Sequence, residues 1–148
     1  MKPFEHQPGT WAEQTKAPEK DVCKIEDDSI SFVDAAAVAM GAFVNSSMLK
    51  LATKALSSGS RCLVVGASGA LGTVMLQLLN GKSLKSSPGY HVTAVCSGKN
   101  AETVRGLGAH EVVDYTAGPF GDQLSRNGAE KFDVVFDFVG GKEIQNGS

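Results

Sequence analysis

The stretch CLVVGASGALG, residues 62–72, changes from a strand pattern to a helix pattern across a glycine-rich turn. It begins with a continuous apolar run, which is typical of a strand buried on both faces of a sheet. The turn carries Gly66, Gly69 and Gly72, and a helical pattern covers residues 71–79. The stretch therefore predicts a buried strand, a tight turn and a helix in direct succession.

Three further strand patterns follow, over residues 91–96, 111–115 and 132–138. Helices are predicted between them over 101–107 and 122–126. The strands begin roughly twenty to thirty residues apart, which suits parallel strands joined by crossovers and excludes simple hairpins. Because such crossovers are right-handed, helices cover both faces of the sheet. The sequence predicts an α/β fold, a Rossmann-like doubly wound parallel sheet of order 3-2-1-4 that stops after strand four.

The part of the chain before the first strand divides into an irregular segment and a helical one. Residues 1–30 are polar and contain three prolines, so we interpret them as a linker or the edge of another lobe. Ser31 and Asp34 form a capping-box pattern that opens a helix. We expect Gly41 to interrupt this helix, with a second helical stretch over residues 44–56. Residues 31–148 are interpreted as a partial nucleotide-binding domain.

Composition limits the class of protein. The chain has 148 residues, 42% hydrophobic and 20% charged, with a net charge of −2, which fits a soluble globular protein. No strong positive field is present to attract nucleic acid. The longest apolar run, residues 35–44, is too short to span a bilayer, and the N-terminus shows no signal peptide. We expect a cytoplasmic protein or one in an organelle interior.

The cysteines and histidines show no metal-ligand spacing. Cys23, Cys62 and Cys96 form no CxxC pair, and the three histidines are scattered. We interpret the thiols as buried or inert and expect no metal site.

The glycine turn has the position and composition of a dinucleotide-binding turn. Gly69 lets the backbone approach a pyrophosphate, Gly72 lets the helix pack closely on the first strand, and Gly66 relaxes the turn. The N–H groups of Gly69, Ala70 and Leu71 are expected to point at the phosphates. The alternative is a glycine-rich turn that only packs. The predicted phosphate-binding residues are Gly66, Ser68, Gly69, Ala70, Leu71 and Gly72.

The end of the second strand indicates which cofactor is preferred. An NAD site usually places an acid there to bind the ribose hydroxyls. Here no acid precedes Glu102, while Ser97 offers a hydroxyl and Lys99 a positive charge. A helix capped by Asn100 would add a partly positive N-terminus. This pattern favours the 2′-phosphate of NADP(H), the alternative being that Lys99 is a solvated loop residue.

Six segments together resemble one known family. The chain is similar to the medium-chain dehydrogenase/reductase superfamily, in its zinc-independent quinone oxidoreductase (zeta-crystallin-like) branch. The order and spacing of the segments match the family, which makes the set specific although each segment alone is loose. The segments are GTWAE at 9–13, SFVDAAA at 31–37, VVGASGALG at 64–72, HVTAVCSGKN at 91–100, LGAHEVVDY at 107–115 and FDVVFDFVGG at 132–141.

The resemblance implies an NADP(H)-dependent reductase that transfers hydride to quinones or activated α,β-unsaturated carbonyls. It places Ser97, Lys99 and Tyr115 at the adenosine 2′-phosphate, although Tyr115 could instead pack at a strand end. It also places Phe138 and Val139 along the cofactor cleft. No catalytic residue is assigned.

The resemblance further implies that most of the catalytic lobe and the later strands lie outside this chain. We expect the chain alone to be inactive, whereas the full protein would act on a small-molecule substrate. We also expect the chain to self-associate and to have no nucleic-acid or membrane partner. The chain also departs from the family pattern at Gln14 and Val44. A catalytically silent dinucleotide-binding or interaction module is the alternative. A short-chain reductase is disfavoured for two reasons. In that family the first strand and its glycine turn begin within a few residues of the N-terminus, whereas here the first strand begins at Arg61, and this sequence has no YxxxK pair.

Overall fold

A computed structural model describes residues 12–81, 89–126 and 131–140 of the chain. Two compact units divide between Ala36 and Ala37. The first unit carries a short 3-10 turn at Glu19–Asp21 and the start of the first helix. The start of the GTWAE segment, residues 9–11, and the loop around residues 83–88 lie outside the described residues.

The described residues form four helices and four strands that alternate after the first helix. Short 3-10 turns lie at Gly98–Asn100 and Tyr115–Ala117. The elements are α1 (Phe32–Ala52), β1 (Arg61–Val65), α2 (Ala70–Asn80), β2 (His91–Cys96), α3 (Ala101–Gly106), β3 (Glu111–Asp114), α4 (Phe120–Arg126) and β4 (Val134–Asp137).

The strands form one parallel sheet of order β3-β2-β1-β4, which confirms the predicted fold and strand order. Cys62 is in register with Val92 of β2 and with Val134 of β4. Because the strands are parallel, their carboxyl ends share one edge of the sheet. The turns that follow β1, β2, β3 and β4 therefore meet at that edge, where ligands bind in open α/β sheets.

The core has two faces, one on each side of the sheet. Alternate residues of β1 separate them: Val64 belongs to one cluster, and Leu63 and Val65 belong to the other. The first cluster includes Met75 from α2, and the second includes Phe120 from α4. Side chains on both faces of β1 are buried, as the continuous apolar run predicts.

The first helix differs from the prediction, because α1 runs unbroken through Gly41 and ends at Ala52. The prediction of an interruption at Gly41 was wrong for a packing reason. A Cβ added to Gly41 would lie 3.2 Å from Cγ2 of Val74 in α2, so this glycine allows two helices to approach closely. The predicted cap by Ser31 is confirmed: Ser31 Oγ accepts from the Asp34 N–H at 3.1 Å, and the Ser31 hydroxyl donates to Asp34 Oδ2 at 2.6 Å.

By length and composition, α1 is long and apolar enough to cross a membrane. It has 21 residues, and its most apolar window has a mean hydropathy of 1.4. The uninterrupted apolar run of residues 35–44 underestimates the length of this apolar helix. The helix continues past the polar residues Asn45, Ser46 and Ser47. Mostly buried core helices of soluble proteins and signal sequences pass the same test, but only 11% of this window is buried. Gly41 and Asn45 of this helix are buried.

Candidate functional site

The glycine turn, residues 66–69, is anchored to the neighbouring strand β2. The N–H groups of Gly66 and Ala67 both donate to the carbonyl of Val95, at 3.2 and 3.1 Å. Gly66 has a φ of +75°, in the region where L side chains are strained, and an added Cβ would lie 2.8 Å from Cγ2 of Val139. This position thus needs glycine for both its conformation and its contact.

Gly72, in the first turn of α2, packs directly against the glycine turn. A Cβ added there would collide with the carbonyl oxygen of Gly66 and would lie 2.6 Å from Cα of Ala67. The helix can begin this close to the strand only because Gly72 has no side chain. This is the close packing that the sequence predicts for the third glycine.

The amides at the start of α2 differ from the prediction in one respect. The N–H of Gly69 donates to the carbonyl of Gly66 at 3.0 Å, so it closes the turn instead of pointing at a phosphate. Gly69 and Ala70 are exposed, whereas Ser68 and Leu71 are half-buried. The first N–H groups of a helix have no intrahelical acceptor. Ala70 and Leu71 therefore offer the donors of this site, and Gly69 offers an exposed backbone without a side chain.

The β2 turn, residues 97–100, places the two residues predicted to bind the ribose phosphate. Ser97 is buried and Lys99 is exposed. The Nδ2 group of Asn100 donates to Ser97 Oγ at 3.2 Å, and no capping bond from the Asn100 side chain to α3 forms. The expected Asn100 cap was wrong, because this side chain closes the β2 turn instead. The Ser97 hydroxyl keeps its own proton for a further acceptor.

A carboxylate that sequence reasoning missed lies at the same place. Asp114, the last residue of β3, brings Oδ2 against Gly98 so closely that a Cβ on Gly98 would collide with it. Hydrogen bonds from the side chain and backbone of Thr116 hold the pKa of Asp114 below its ordinary value, with a smaller contribution from the Gly98 backbone. The end of β2 carries no acid, as the sequence indicates, but the neighbouring strand supplies one beside the β2 turn.

Tyr115 follows Asp114 in the 3-10 turn Tyr115–Ala117 and is 54% exposed. It belongs to neither core cluster, so the alternative that it packs at a strand end has no support from burial. The turn that contains Tyr115 contacts the β2 turn. Tyr115 thus lies in a turn that contacts the turn of Ser97 and Lys99.

The end of β4 lies beside the glycine turn. A Cβ on Gly66 would be 3.6 Å from Cβ of Phe138, and Val139 is 70% exposed next to it. Asp137 Oδ1 accepts the N–H groups of Val139 and Gly140, at 2.9 and 3.0 Å, and so folds the backbone back after the strand. The predicted cleft residues Phe138 and Val139 therefore lie beside the glycine turn that follows β1. This is the edge of the sheet where β1 and β4 are neighbours and the strand order reverses.

Asn45 of α1 is a second residue whose role the sequence did not predict. Its side chain is fully buried, and Nδ2 donates to the carbonyls of Gly41 at 2.8 Å and of Leu71 at 3.1 Å. Its Oδ1 is buried without a hydrogen-bond partner in the described part of the chain. Asn45 thus ties α1 to the first turn of α2.

The site offers hydrogen-bond donors, the exposed Lys99 and the carboxylate of Asp114. Within residues 12–81, 89–126 and 131–140, no three His, Cys, Asp or Glu side chains are placed to hold a metal ion. The exposed amides at the start of α2 suit an anionic ligand, and the helix dipole adds to their attraction.

Three similar proteins indicate the relationship. The chain is 40% identical over 116 residues to "NAD(P)H oxidoreductase RTN4IP1, mitochondrial" of Danio rerio, which is 78% of this chain and 27% of that protein. It is 34% identical over 139 residues to "Chloroplast envelope quinone oxidoreductase homolog" of Arabidopsis thaliana, which is 90% of this chain and 39% of that protein. The quinone oxidoreductase of Pseudomonas syringae superposes with a TM-score of 0.69 at 28% identity, over 84% of this chain and 37% of that one.

The parallel sheet with its glycine turn defines a Rossmann-like α/β protein. The chain belongs to the medium-chain reductase family, whose members among the similar proteins are quinone oxidoreductases and enoyl reductases. It spans well under half the length of the curated relatives it matches. No protein-family model matches the chain.

Proposed function

We propose that this chain is the cofactor-binding part of an NADPH-dependent oxidoreductase of the quinone reductase type. The observation that carries the proposal is the exposed start of α2, which follows a buried strand through a turn whose first residue, Gly66, has a left-handed conformation that favours glycine. The bound nicotinamide cofactor would supply hydride for reduction of a quinone or an activated α,β-unsaturated carbonyl. The residues of this chain would bind and orient that cofactor.

The pyrophosphate would lie over Gly69, with the N–H groups of Ala70 and Leu71 as donors. An added Cβ on Gly69 would meet only the carbonyl oxygen of Gly66, at 3.3 Å, so its other side is open. Phe138 and Val139 would line the cleft toward the nicotinamide. The name of the zebrafish relative, an NAD(P)H oxidoreductase, supports a nicotinamide dinucleotide without choosing between NAD and NADP.

The choice of NADP(H) rests on the β2 turn. Ser97 has a hydroxyl proton to donate, Lys99 is exposed in the same turn, and Tyr115 is exposed in a turn that contacts it. Each charge-assisted hydrogen bond to a 2′-phosphate would contribute about 1.5–3 kcal/mol. The carboxylate of Asp114 would repel the 2′-phosphate, but Thr116 donates two hydrogen bonds to Oδ1, and Oδ2 lies against Gly98.

The proposal is tested by titrating NADPH into the wild-type chain and into Gly69→Val, with Gly69→Ala as the smaller control. A branched side chain would occupy the place of the pyrophosphate, so we expect Gly69→Val to lose NADPH binding while its thermal unfolding changes little. Equal affinity in the variant and the wild type would show that the turn only packs.

The competing function is a catalytically silent binding or interaction module. Hydride transfer from NADPH to a quinone, assayed on this chain and on the full gene product, distinguishes the two. We expect binding without turnover for the chain alone, and turnover for the full product. A full product that binds NADPH and reduces no quinone or enone would favour the silent module.

Self-association and location belong to the same proposal. In the described sheet β4 pairs only with β1, and Val135 of β4 is 45% exposed, so a second copy could pair with this edge. Sedimentation at high concentration would test this, a monomer being the contrary result. A cytoplasmic setting has no support from the two relatives' names, one mitochondrial and one of the chloroplast envelope, which favour an organelle.

A further inference from the structure

The carboxylate of Asp114 is held at the junction of two turns. Oδ1 accepts the N–H of Thr116 at 2.8 Å and its hydroxyl at 2.6 Å. Oδ2 lies against Gly98, in the middle of the β2 turn. One side chain from β3 therefore joins the turn after its own strand to the turn after β2.

Gly98 fits this contact because it has no side chain. An added Cβ would collide with Asp114 Oδ2, so the backbone of the β2 turn approaches the carboxylate directly. The residues on either side of Gly98 are Ser97 and Lys99, which the proposed function assigns to the ribose 2′-phosphate. Their positions depend on the backbone that Asp114 contacts.

We propose that Asp114 is a positioning residue that holds the β2 turn in the shape that accepts a ribose 2′-phosphate. This inference rests on the proposed function, because it concerns the same cofactor site. Asp114 acts through Gly98 and does not touch the ligand. Oδ1 already accepts two hydrogen bonds from Thr116 and Oδ2 lies against the backbone of Gly98, so we expect the main effect of Asp114 to be ordering the turn rather than repelling an anion.

The alternative role, a charge that repels the phosphate, predicts the opposite effect of removing the carboxylate. Asp114→Ala removes both oxygens, whereas Asp114→Asn keeps one oxygen as an acceptor. Glu111→Gln is the matched control, because Glu111 lies at the other end of β3 and its carboxylate pairs with His91 at 3.2 Å.

The experiment compares two probes, adenosine 2′,5′-bisphosphate and 5′-AMP, which differ at the 2′ position. For each variant, the ratio of their dissociation constants is measured by calorimetry. We expect Asp114→Ala to lose roughly tenfold of the preference for the bisphosphate. Asp114→Asn should lose less, and Glu111→Gln should leave the ratio unchanged. Hydrogen exchange of the Gly98 amide should be faster in Asp114→Ala than in the wild type.

Tighter binding of the bisphosphate by Asp114→Asn would overturn the inference, because the carboxylate would then act by repulsion. An unchanged ratio in Asp114→Ala, or an equal loss for both probes, would also overturn it while leaving the proposed function intact. Unchanged exchange of the Gly98 amide would do the same. A wild-type chain that binds neither probe would overturn the proposed function and this inference together.

Discussion

The side-chain amide of Asn45 in α1 donates a hydrogen bond to the backbone carbonyl of Leu71 in α2, 3.1 Å away. Leu71 is also one of the two residues whose N–H groups are proposed to face the phosphates. The helix that precedes the sheet is thus joined to the helix that begins at the site. Because Asn45 is fully buried, this link is shielded from water.

Asn45→Asp should therefore destabilise the fold strongly. A carboxylate there would face the carbonyl oxygens of Gly41 and Leu71, and a buried, uncompensated charge costs roughly 3–5 kcal/mol. The loss should be larger at pH 8 than at pH 4, because a protonated Asp could donate to one carbonyl. Denaturant unfolding at both pH values measures this. Asn45→Ala is the control and should lose less, without the dependence on pH.

Gly72→Ala should destabilise the fold through the contact with Ala67. The methyl group would overlap backbone atoms of the glycine turn, and overpacking of this kind costs about 1–3 kcal/mol or more. Gly106→Ala in α3 is the matched control, because a Cβ there would meet no atom within 4 Å. It should be neutral or slightly stabilising. Equal unfolding free energies for the two variants would contradict the close packing of Gly72.

Lys99→Ala should weaken NADPH binding and leave NADH binding nearly unchanged. The loss of one charge-assisted contact corresponds to roughly tenfold to hundredfold in the dissociation constant. Lys131→Ala, which removes an exposed lysine just before β4, is the control. Fluorescence titration of both cofactors against the three proteins decides the matter. Weakening of both cofactors alike by Lys99→Ala would refute the 2′-phosphate assignment.

Stability should fall at alkaline pH because of Cys62. Burial raises the pKa of this thiol to about 11, with a smaller effect of Asp133. Between an ordinary pKa of 9.0 and about 11, the unfolded chain releases the proton while the folded chain retains it, so rising pH favours unfolding. The loss should be on the order of 2 kcal/mol. Unfolding of wild type and Cys62→Ala from pH 8 to 11 measures it, with Cys23→Ser as control. A wild-type slope no steeper than that of Cys62→Ala would be the contrary result.

The glycine turn could be predicted because it depends on residues close together in sequence, and the strand order could be predicted because crossovers between parallel strands have one hand. A continuous apolar run indicates a strand that is buried on both faces of a parallel sheet. The need for glycine at position 72 comes from a turn only a few residues away. The bounds of β2 were predicted to the residue, because apolar side chains fill the strand and polar residues follow it.

Other features could not be predicted because they depend on contacts between distant segments. The sequence alone indicates a helix interruption at Gly41, because only the position of Val74 shows that this glycine is a packing residue. The capping prediction for Asn100 failed for a local reason, because its side chain donates to Ser97 Oγ, three residues earlier, instead of capping α3. Asp114 was missed because its partner Gly98 follows another strand. The only sequence signal for this contact was the acidic residue at the end of β3, whose sequence is EVVD.

The parallel sheet also fixes how the protein can be attached to a surface. Lys131 is exposed and precedes β4, so it lies at the amino edge of the sheet, whereas the glycine turn lies at the carboxyl edge. These edges are about 15 Å apart for strands of this length. Cys62 and Cys96 are buried and Cys23 is exposed. A chain carrying Cys23→Ser and Lys131→Cys could therefore be coupled to a sensor chip or a dye through one thiol, with its candidate cofactor site turned toward the solution.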